Sequence, residues 1–239
     1  MVINNNFVDK YGHKYDGVIE KALTKDELNN IGIFVNQTKR EENIFIKTNG
    51  VYIYQDKDNS NIGYRIYDEY ADYGFNGYGD AKLISNFNKI RDNVKLTDLP
   101  IGVVSSDGNV VGQIIPYYPN CESVYDYAKR TKNINVIKYY KKMINILKEL
   151  YDNGMIYVDT HAKNYLIVKN GIKLIDFDSS YIDFSDTKFK YDSMIYTFVR
   201  MLKILNELLG IDFNINNNFV RDLQDIEEVV EEMEKKLVR

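Results

Sequence analysis

Tryptophan is absent from the 239 residues, and there are one cysteine (Cys121), three prolines and two histidines. A single cysteine excludes an internal disulfide framework, and so few histidines exclude a Cys/His zinc cluster. A chain this poor in thiols suits a reducing, cytoplasmic compartment. Long hydrophobic runs are missing too. No apolar stretch approaches the roughly 20 residues a membrane span requires, so no membrane span is expected. The first residues also lack the charged-then-apolar pattern of a signal peptide. Nor is there a surplus of positive charge. Lys+Arg 31 against Asp+Glu 35 leaves a net charge of -4. That is the wrong sign for a chain that works by neutralising phosphate backbones, and no nucleic-acid partner is expected. Repeats, low-complexity tracts and long Gly/Ser linkers are absent as well.

What remains is a globular chain. Hydrophobic residues at 44% with charged residues at 28% can build a real core, enough for one large domain or two small ones. The prolines (Pro100, Pro116 and Pro119) all fall mid-chain, and the texture changes there. Period-2 runs predict strands at 31–35, 44–47, 51–55, 63–67, 101–105 and 110–115. Asn49-Gly50 and Asp107-Gly108 read as two-residue hairpin turns. One helix interrupts them at 80–91, with Asp80 as its N-cap. From about residue 122 the period is helical. Ile137, Tyr140, Ile144, Leu147 and Tyr151 mark an amphipathic helix ending at Asn153-Gly154. Two short strands at 165–168 and 172–175 follow. A helix at 194–209, apolar nearly all round, is expected to be buried on most sides. A last helix over 219–237 carries an acidic outer face. The fold class is α+β, with residues 1–30 as a polar N-terminal extension or cap, 31–118 strand-rich and 119–239 helical.

The informative stretch runs from Tyr157 through Asp159-Thr160-His161-Ala162-Lys163-Asn164, then Ile172-Lys173-Leu174-Ile175-Asp176-Phe177-Asp178. Asp159 and Asn164 lie in a loop entering a short strand, and Asp176 closes the next strand. This arrangement suits phosphoryl transfer, in which the protein supplies mainly positioning and charge neutralisation. One carboxylate orients and deprotonates an attacking hydroxyl. An amide oxygen and a second carboxylate hold magnesium ions that bridge the phosphates. A β-hairpin brings the three groups to one mouth.

At these residues the chain resembles the protein-kinase-like superfamily. Asp159 to Asn164 is similar to the catalytic loop, in the Asp-x-His-x-x-Asn form of aminoglycoside and choline phosphotransferases. Asp176-Phe177 is similar to the metal-binding Asp-Phe-Gly element, and RIO-type and lipopolysaccharide-type kinases look similarly abbreviated. The resemblance implies a two-lobed fold, a small antiparallel-sheet lobe followed by a reduced helical one, with ATP held between them. It implies Asp159 as catalytic base, Asn164 and Asp176 as magnesium ligands, and His161 and Lys163 as further catalytic-loop residues. Upstream, Val111 to Pro119 looks like the last small-lobe strand and hinge. Ile115 then stands as gatekeeper, the Pro116 carbonyl and Tyr118 N–H meet adenine, and Glu122 lies near the ribose. Proline is compatible there because only its carbonyl is required. The similarity covers residues 44–209.

Several positions depart from the family pattern. Tyr157 replaces the histidine that often opens the catalytic loop, and Asp178 replaces the glycine after Asp-Phe. The third strand carries Arg65 in place of a lysine, and the helix after it has Lys82 and Lys89 but no glutamate. Arg65 is the candidate phosphate contact, with Lys47 in reserve. The glycine-rich loop is reduced to Thr48-Asn49-Gly50, and Gly74, Gly77 and Gly79 before a helix are an alternative phosphate site. No Ala-Pro-Glu element follows Asp178, and the short stretch between Asp178 and the buried helix leaves no room for an activation loop. The expected function is an ATP- and magnesium-dependent phosphotransferase, leaning to a serine/threonine protein acceptor because no small-molecule insert is visible. A pseudokinase that only binds nucleotide or a partner, and a small-molecule kinase for aminoglycosides, choline or sugars, are the alternatives. Plainer readings stand beside the site residues. His161 can simply order its loop, Lys163 and Arg65 can face solvent, Asp178 can be structural, and Cys121 can be inert packing.

Overall fold

The computed structural model describes residues 4–24, 26–27, 46–48, 51–56, 58–67, 77–182, 187–215 and 220–237. The strand expected at 31–35, the Asn49-Gly50 turn, Gly74 and the side chain of Lys47 lie outside them, whereas Asp80, expected as an N-cap, falls inside a helix that already begins at Gly77. The protein is α+β, and its chain divides into two compact units. The first comprises Met1–Asp92 and Leu99–Pro119, the second Asn93–Asp98 and Asn120–Arg239.

The first unit is built on β1 (Asn4–Val8), β2 (Lys14–Ala22), β3 (Ile46–Thr48), β4 (Val51–Gln55), β5 (Ile62–Tyr67), β6 (Gly102–Ser106) and β7 (Asn109–Pro116). They form one sheet in the order β1-β2-β6-β7-β5-β4-β3. Every pairing is antiparallel except β2 with β6. Residues 4–22 are therefore not an extension but two strands of this sheet, with Phe7 and Val18 fully buried. Their polarity hides the strands because Val18 is the one fully buried position along β2. Asp107 and Gly108 both take positive φ, 50° and 72°, and close the β6–β7 hairpin in two residues. That conformation is why the turn uses Asp-Gly. Gly102 and Gly112 allow backbones to meet closely. A Cβ at Gly112 would stand 2.1 Å from the Arg65 carbonyl oxygen.

Helix α1 (Gly77–Ile90) lies on β2, β6 and β7, burying Ala81, Ile84, Phe87 and Ile90. A separate cluster of Leu23, Tyr64, Ile66, Val104 and Ile114 packs with Ile19, Ile62, Ile101 and Val111. Each such side chain contributes about 1.5–3 kcal/mol when fully buried. Within this apolar setting Asp56 is held by the Tyr64 hydroxyl and by the Asp58 and Asn59 N–H groups at 2.8 and 2.9 Å. Lys21 Nζ lies 3.6 Å from its carboxylate and 3.8 Å above the Tyr64 ring. Burial alone would raise the Asp56 carboxyl, but these hydrogen bonds outweigh it and hold the group below the usual range.

The second unit contains α2 (Val124–Thr131), α3 (Ile137–Asp152), β8 (Ile156–Tyr157), β9 (Tyr165–Val168), β10 (Gly171–Leu174), β11 (Ser180–Tyr181), α4 (Thr187–Leu209) and α5 (Leu223–Leu237). Helix α2, which the sequence pattern did not reveal, starts at Ser123, whose Oγ accepts from Asp126 N–H at 3.0 Å. Helix α3 buries Ile137, Tyr140, Ile144 and Leu147 of the expected stripe, together with Met143 and Leu150, whereas Tyr151, also expected there, is exposed. It ends where Gly154 takes φ 83°. Helix α4 is buried on most sides over 194–209, as expected, through Met194, Ile195, Phe198, Val199, Leu202 and Leu205, with Tyr196 and Ile204 exposed. The short stretch before β6 belongs to this unit. The Glu149 carboxylate accepts from Lys95 and Leu96 N–H at 2.9 and 2.8 Å, and the Thr97 hydroxyl bonds both ways with Leu174.

Candidate active site

The loop after β8 has a built geometry. Asn164 Nδ2 donates to the Tyr157 hydroxyl at 2.8 Å, the Asp159 carbonyl at 3.0 Å and Asp159 Oδ2 at 3.1 Å. All three bonds use the amide nitrogen, and Asn164 Oδ1 takes no part in them. His161 Nε2 lies 3.2 Å from Asp159 Oδ1, so both carboxylate oxygens of Asp159 are engaged. Asp159 and His161 remain accessible, with side-chain exposures of 36% and 65%. The backbone folds tightly here: His161 N–H donates to the Asp159 carbonyl at 2.8 Å and Asn164 N–H to the His161 carbonyl at 2.9 Å. A 3-10 turn over Ala162–Asn164 then feeds β9.

The hairpin returns the chain to the same place. β9 and β10 pair with Tyr165 opposite Leu174, and Ile175 N–H donates to the Asn164 carbonyl at 2.8 Å. Residue 176 therefore emerges beside Asn164. Asp176 is solvent-exposed and takes φ 62°, ψ 67°. A non-glycine residue in that region is uncommon, and such conformations gather at functional positions. Asp178 follows in a short turn, Phe177–Ser179, that carries the chain into β11. The fully buried Tyr157 lies beneath the whole arrangement. Its hydroxyl donates to the Ile175 carbonyl at 3.2 Å, and its ring meets Phe177 edge-on at 5.8 Å. Burial pushes this hydroxyl well above its ordinary value, and Tyr165 and the carboxylates of Asp159 and Asp176 push the same way. It stays a neutral donor. The buried Tyr165 hydroxyl has no hydrogen-bond partner among the described residues.

Other residues singled out by the sequence have definite neighbours. Lys163 Nζ sits 5.2 Å from the Tyr125 ring centroid. Glu122 is engaged by Arg130 through two bonds, Nε to Oε1 at 3.0 Å and Nη2 to Oε2 at 2.8 Å. The guanidinium holds that carboxyl below its usual range. In the first unit, Arg65 lies mid-β5, opposite Ile53 of β4 and Gln113 of β7, with its guanidinium 5.9 Å from the Tyr67 ring. Ile115 and the strand-ending Pro116 are half-buried. Tyr117 N–H donates to the Asn61 carbonyl at 2.8 Å on the β5 side. Strand alternation then directs the neighbouring Pro116 carbonyl to the opposite side. Tyr118 follows, half-buried. Cys121 is half-buried, and burial raises its thiol, which fits an inert packing role.

Two further groups support the loop. Thr160 is fully buried and donates to Thr197 Oγ1 at 3.0 Å, and Thr197 in turn donates to the Val158 carbonyl at 2.7 Å. Helix α4 thus holds the segment bearing Asp159. No spacing rule links residues so far apart, and only the fold reveals the pair.

The donor set fits magnesium through hard oxygens, the Asn164 amide and the Asp176 carboxylate. Among the described residues no group of three His, Cys, Asp or Glu is arranged to hold a metal alone. Magnesium ordinarily takes one or two carboxylates and completes its shell with phosphate and water oxygens, which suits a site of this size. No helix among the described residues is long and apolar enough to cross a membrane. No protein-family model matches the chain, and no curated protein matches it either.

Proposed function

We propose that the chain is an ATP- and magnesium-dependent phosphotransferase of reduced kinase-like, two-lobed architecture, acting on a hydroxyl acceptor. The observation that carries this reading is the convergence of Asp159, Asn164 and Asp176 around the buried Tyr157 hydroxyl. Support also comes from the order of elements in the first unit. Three successive antiparallel strands, β3 to β5, are followed by a helix, and β7 joins β5 before running into Pro116. That is the sequence of third strand, helix, last strand and hinge which the resemblance implies.

Asn164 Oδ1 and Asp176 would hold magnesium, which supplies neutralisation of the charge on the transferring phosphoryl group. Asp159 orients the acceptor hydroxyl and takes its proton at a carboxylate oxygen. The new O–P bond forms as the β–γ bridging bond breaks, and ADP leaves. His161, mostly exposed, yields Oδ1 to the incoming hydroxyl. Arg65 is the candidate phosphate contact, Pro116 and Tyr118 the backbone partners of adenine beside Ile115, and Glu122 the ribose neighbour once released from Arg130. A serine or threonine of a protein is the favoured acceptor.

Transfer of label from γ-labelled ATP to a protein acceptor tests this, with Asp159→Ala as the comparison. Labelling lost in a variant that remains folded supports the reading, and equal labelling in both refutes it. Stimulation by aminoglycosides, choline or sugars alone would move the acceptor to the small-molecule class. Nucleotide or partner binding without transfer is a second reading, favoured by one observation: His161 and Asn164 together occupy both oxygens of Asp159. It predicts bound nucleotide and no labelling.

A further inference from the structure

We infer that Tyr157 is a positioning residue that fixes which atom of Asn164 faces the cation, an inference that rests on the phosphotransferase reading above. An asparagine side chain ends in an oxygen and a nitrogen of nearly equal shape, and only the oxygen can coordinate a cation. Something must therefore choose the amide's orientation. Three acceptors do so, all on Nδ2: the Tyr157 hydroxyl, the Asp159 carbonyl and Asp159 Oδ2. Of these, the Asp159 carboxylate must accommodate an acceptor hydroxyl in function, and the Asp159 backbone carbonyl is shared with the His161 N–H at 2.8 Å. The Tyr157 hydroxyl accepts from Asn164 alone among the described residues. It is fully buried, its own proton is committed to the Ile175 carbonyl at 3.2 Å, and its ring is locked against Phe177 at 5.8 Å.

A hydroxyl whose proton is engaged presents a lone pair to Asn164, which Nδ2 satisfies and Oδ1 would repel. The same hydroxyl is bonded to the carbonyl just before Asp176, so one buried oxygen holds both metal-facing residues in register. Outer partners of metal ligands typically change metal affinity by about 10–100-fold when removed.

The test is calorimetric titration of the full chain with ATP, with and without magnesium, comparing wild type, Tyr157→Phe, Asn164→Ala and the double variant. Phenylalanine keeps the ring against Phe177 and removes only the hydroxyl. The expected result is about tenfold weaker nucleotide binding in magnesium, with magnesium-free affinity unchanged. In the Asn164→Ala background the same substitution should change affinity by less than about twofold, because the effect acts through Asn164. Unchanged magnesium-dependent binding in Tyr157→Phe, or an equal loss in both backgrounds, overturns the inference while leaving the phosphotransferase reading intact. No magnesium-dependent binding in wild type overturns both. If Tyr157→Phe fails to fold, the Asn164 side-chain amide protons of the unmutated protein decide by hydrogen exchange. Protection of about tenfold over exposed asparagines supports the inference, and none overturns it.

Discussion

Replacing Thr197 by valine removes a single hydroxyl from helix α4 while keeping its volume and branching. That hydroxyl has one proton and lies within 2.7–3.0 Å of three carbonyls, of Val158, Ser193 and Met194, nearest to Val158. It also accepts from Thr160 Oγ1 at 3.0 Å. The Val158 carbonyl keeps the Thr160 N–H at 2.9 Å, whereas the fully buried Thr160 hydroxyl is left without its acceptor. A net hydrogen bond of about 1 kcal/mol is lost, and a stranded buried hydroxyl adds about 1–3 kcal/mol. Thr197→Val should therefore cost about 2–4 kcal/mol in urea unfolding with an unchanged m-value, or roughly 4–16 °C in Tm for a chain of this size. The double variant Thr160→Val/Thr197→Val strands no hydroxyl and should recover at least half of the loss. A loss below about 0.5 kcal/mol in the single variant, or a double variant no better than it, refutes the assignment.

Asp56 sets an acid limit on stability. Its carboxyl is held low in the folded state, so on acidification the unfolded chain protonates first. Its contribution is complete above the ordinary carboxylate value of about 4 and fades as pH falls through the depressed folded value. Urea midpoints measured from pH 6 to pH 2.5 should decline more steeply in wild type than in Asp56→Asn, and parallel declines contradict the argument. Gly112→Ala would place a methyl 2.1 Å from the Arg65 carbonyl oxygen, forcing β5 and β7 apart. It should cost about 3 kcal/mol, or roughly 6–12 °C in Tm. A Tm within about 1 °C of wild type would mean that the β5–β7 register is wrong.

The legible parts of the fold were those with local causes. The Asp107-Gly108 turn and the amphipathic spacing of α3 each state their structure within a few residues. β1 and β2 did not, because among their described side chains only Phe7 and Val18 are buried, which leaves no clean alternation. The apolarity of helix α4 implies burial on most sides, and most of its apolar side chains over 194–209 are buried. Nothing in its composition tells that Tyr196 and Ile204 are the exposed ones. In the candidate site, the residue types and spacing of Asp159, Asn164 and Asp176 stood out because a hairpin joins them locally. The pairing of Glu122 with Arg130, 8 residues apart, follows from helix α2, which the pattern does not show, and the Thr160–Thr197 link, 37 residues apart, depends on tertiary placement. So does the role of Tyr157, where the sequence displays only a substitution.

The most direct measurement is thermal unfolding with and without Mg-ATP, on wild type and Asp176→Ala. Nucleotide at one hundred times its dissociation constant should stabilise the native chain by about 2.7 kcal/mol. The account predicts a magnesium-dependent rise in wild-type Tm that Asp176→Ala loses. No rise, with both proteins well folded, contradicts it.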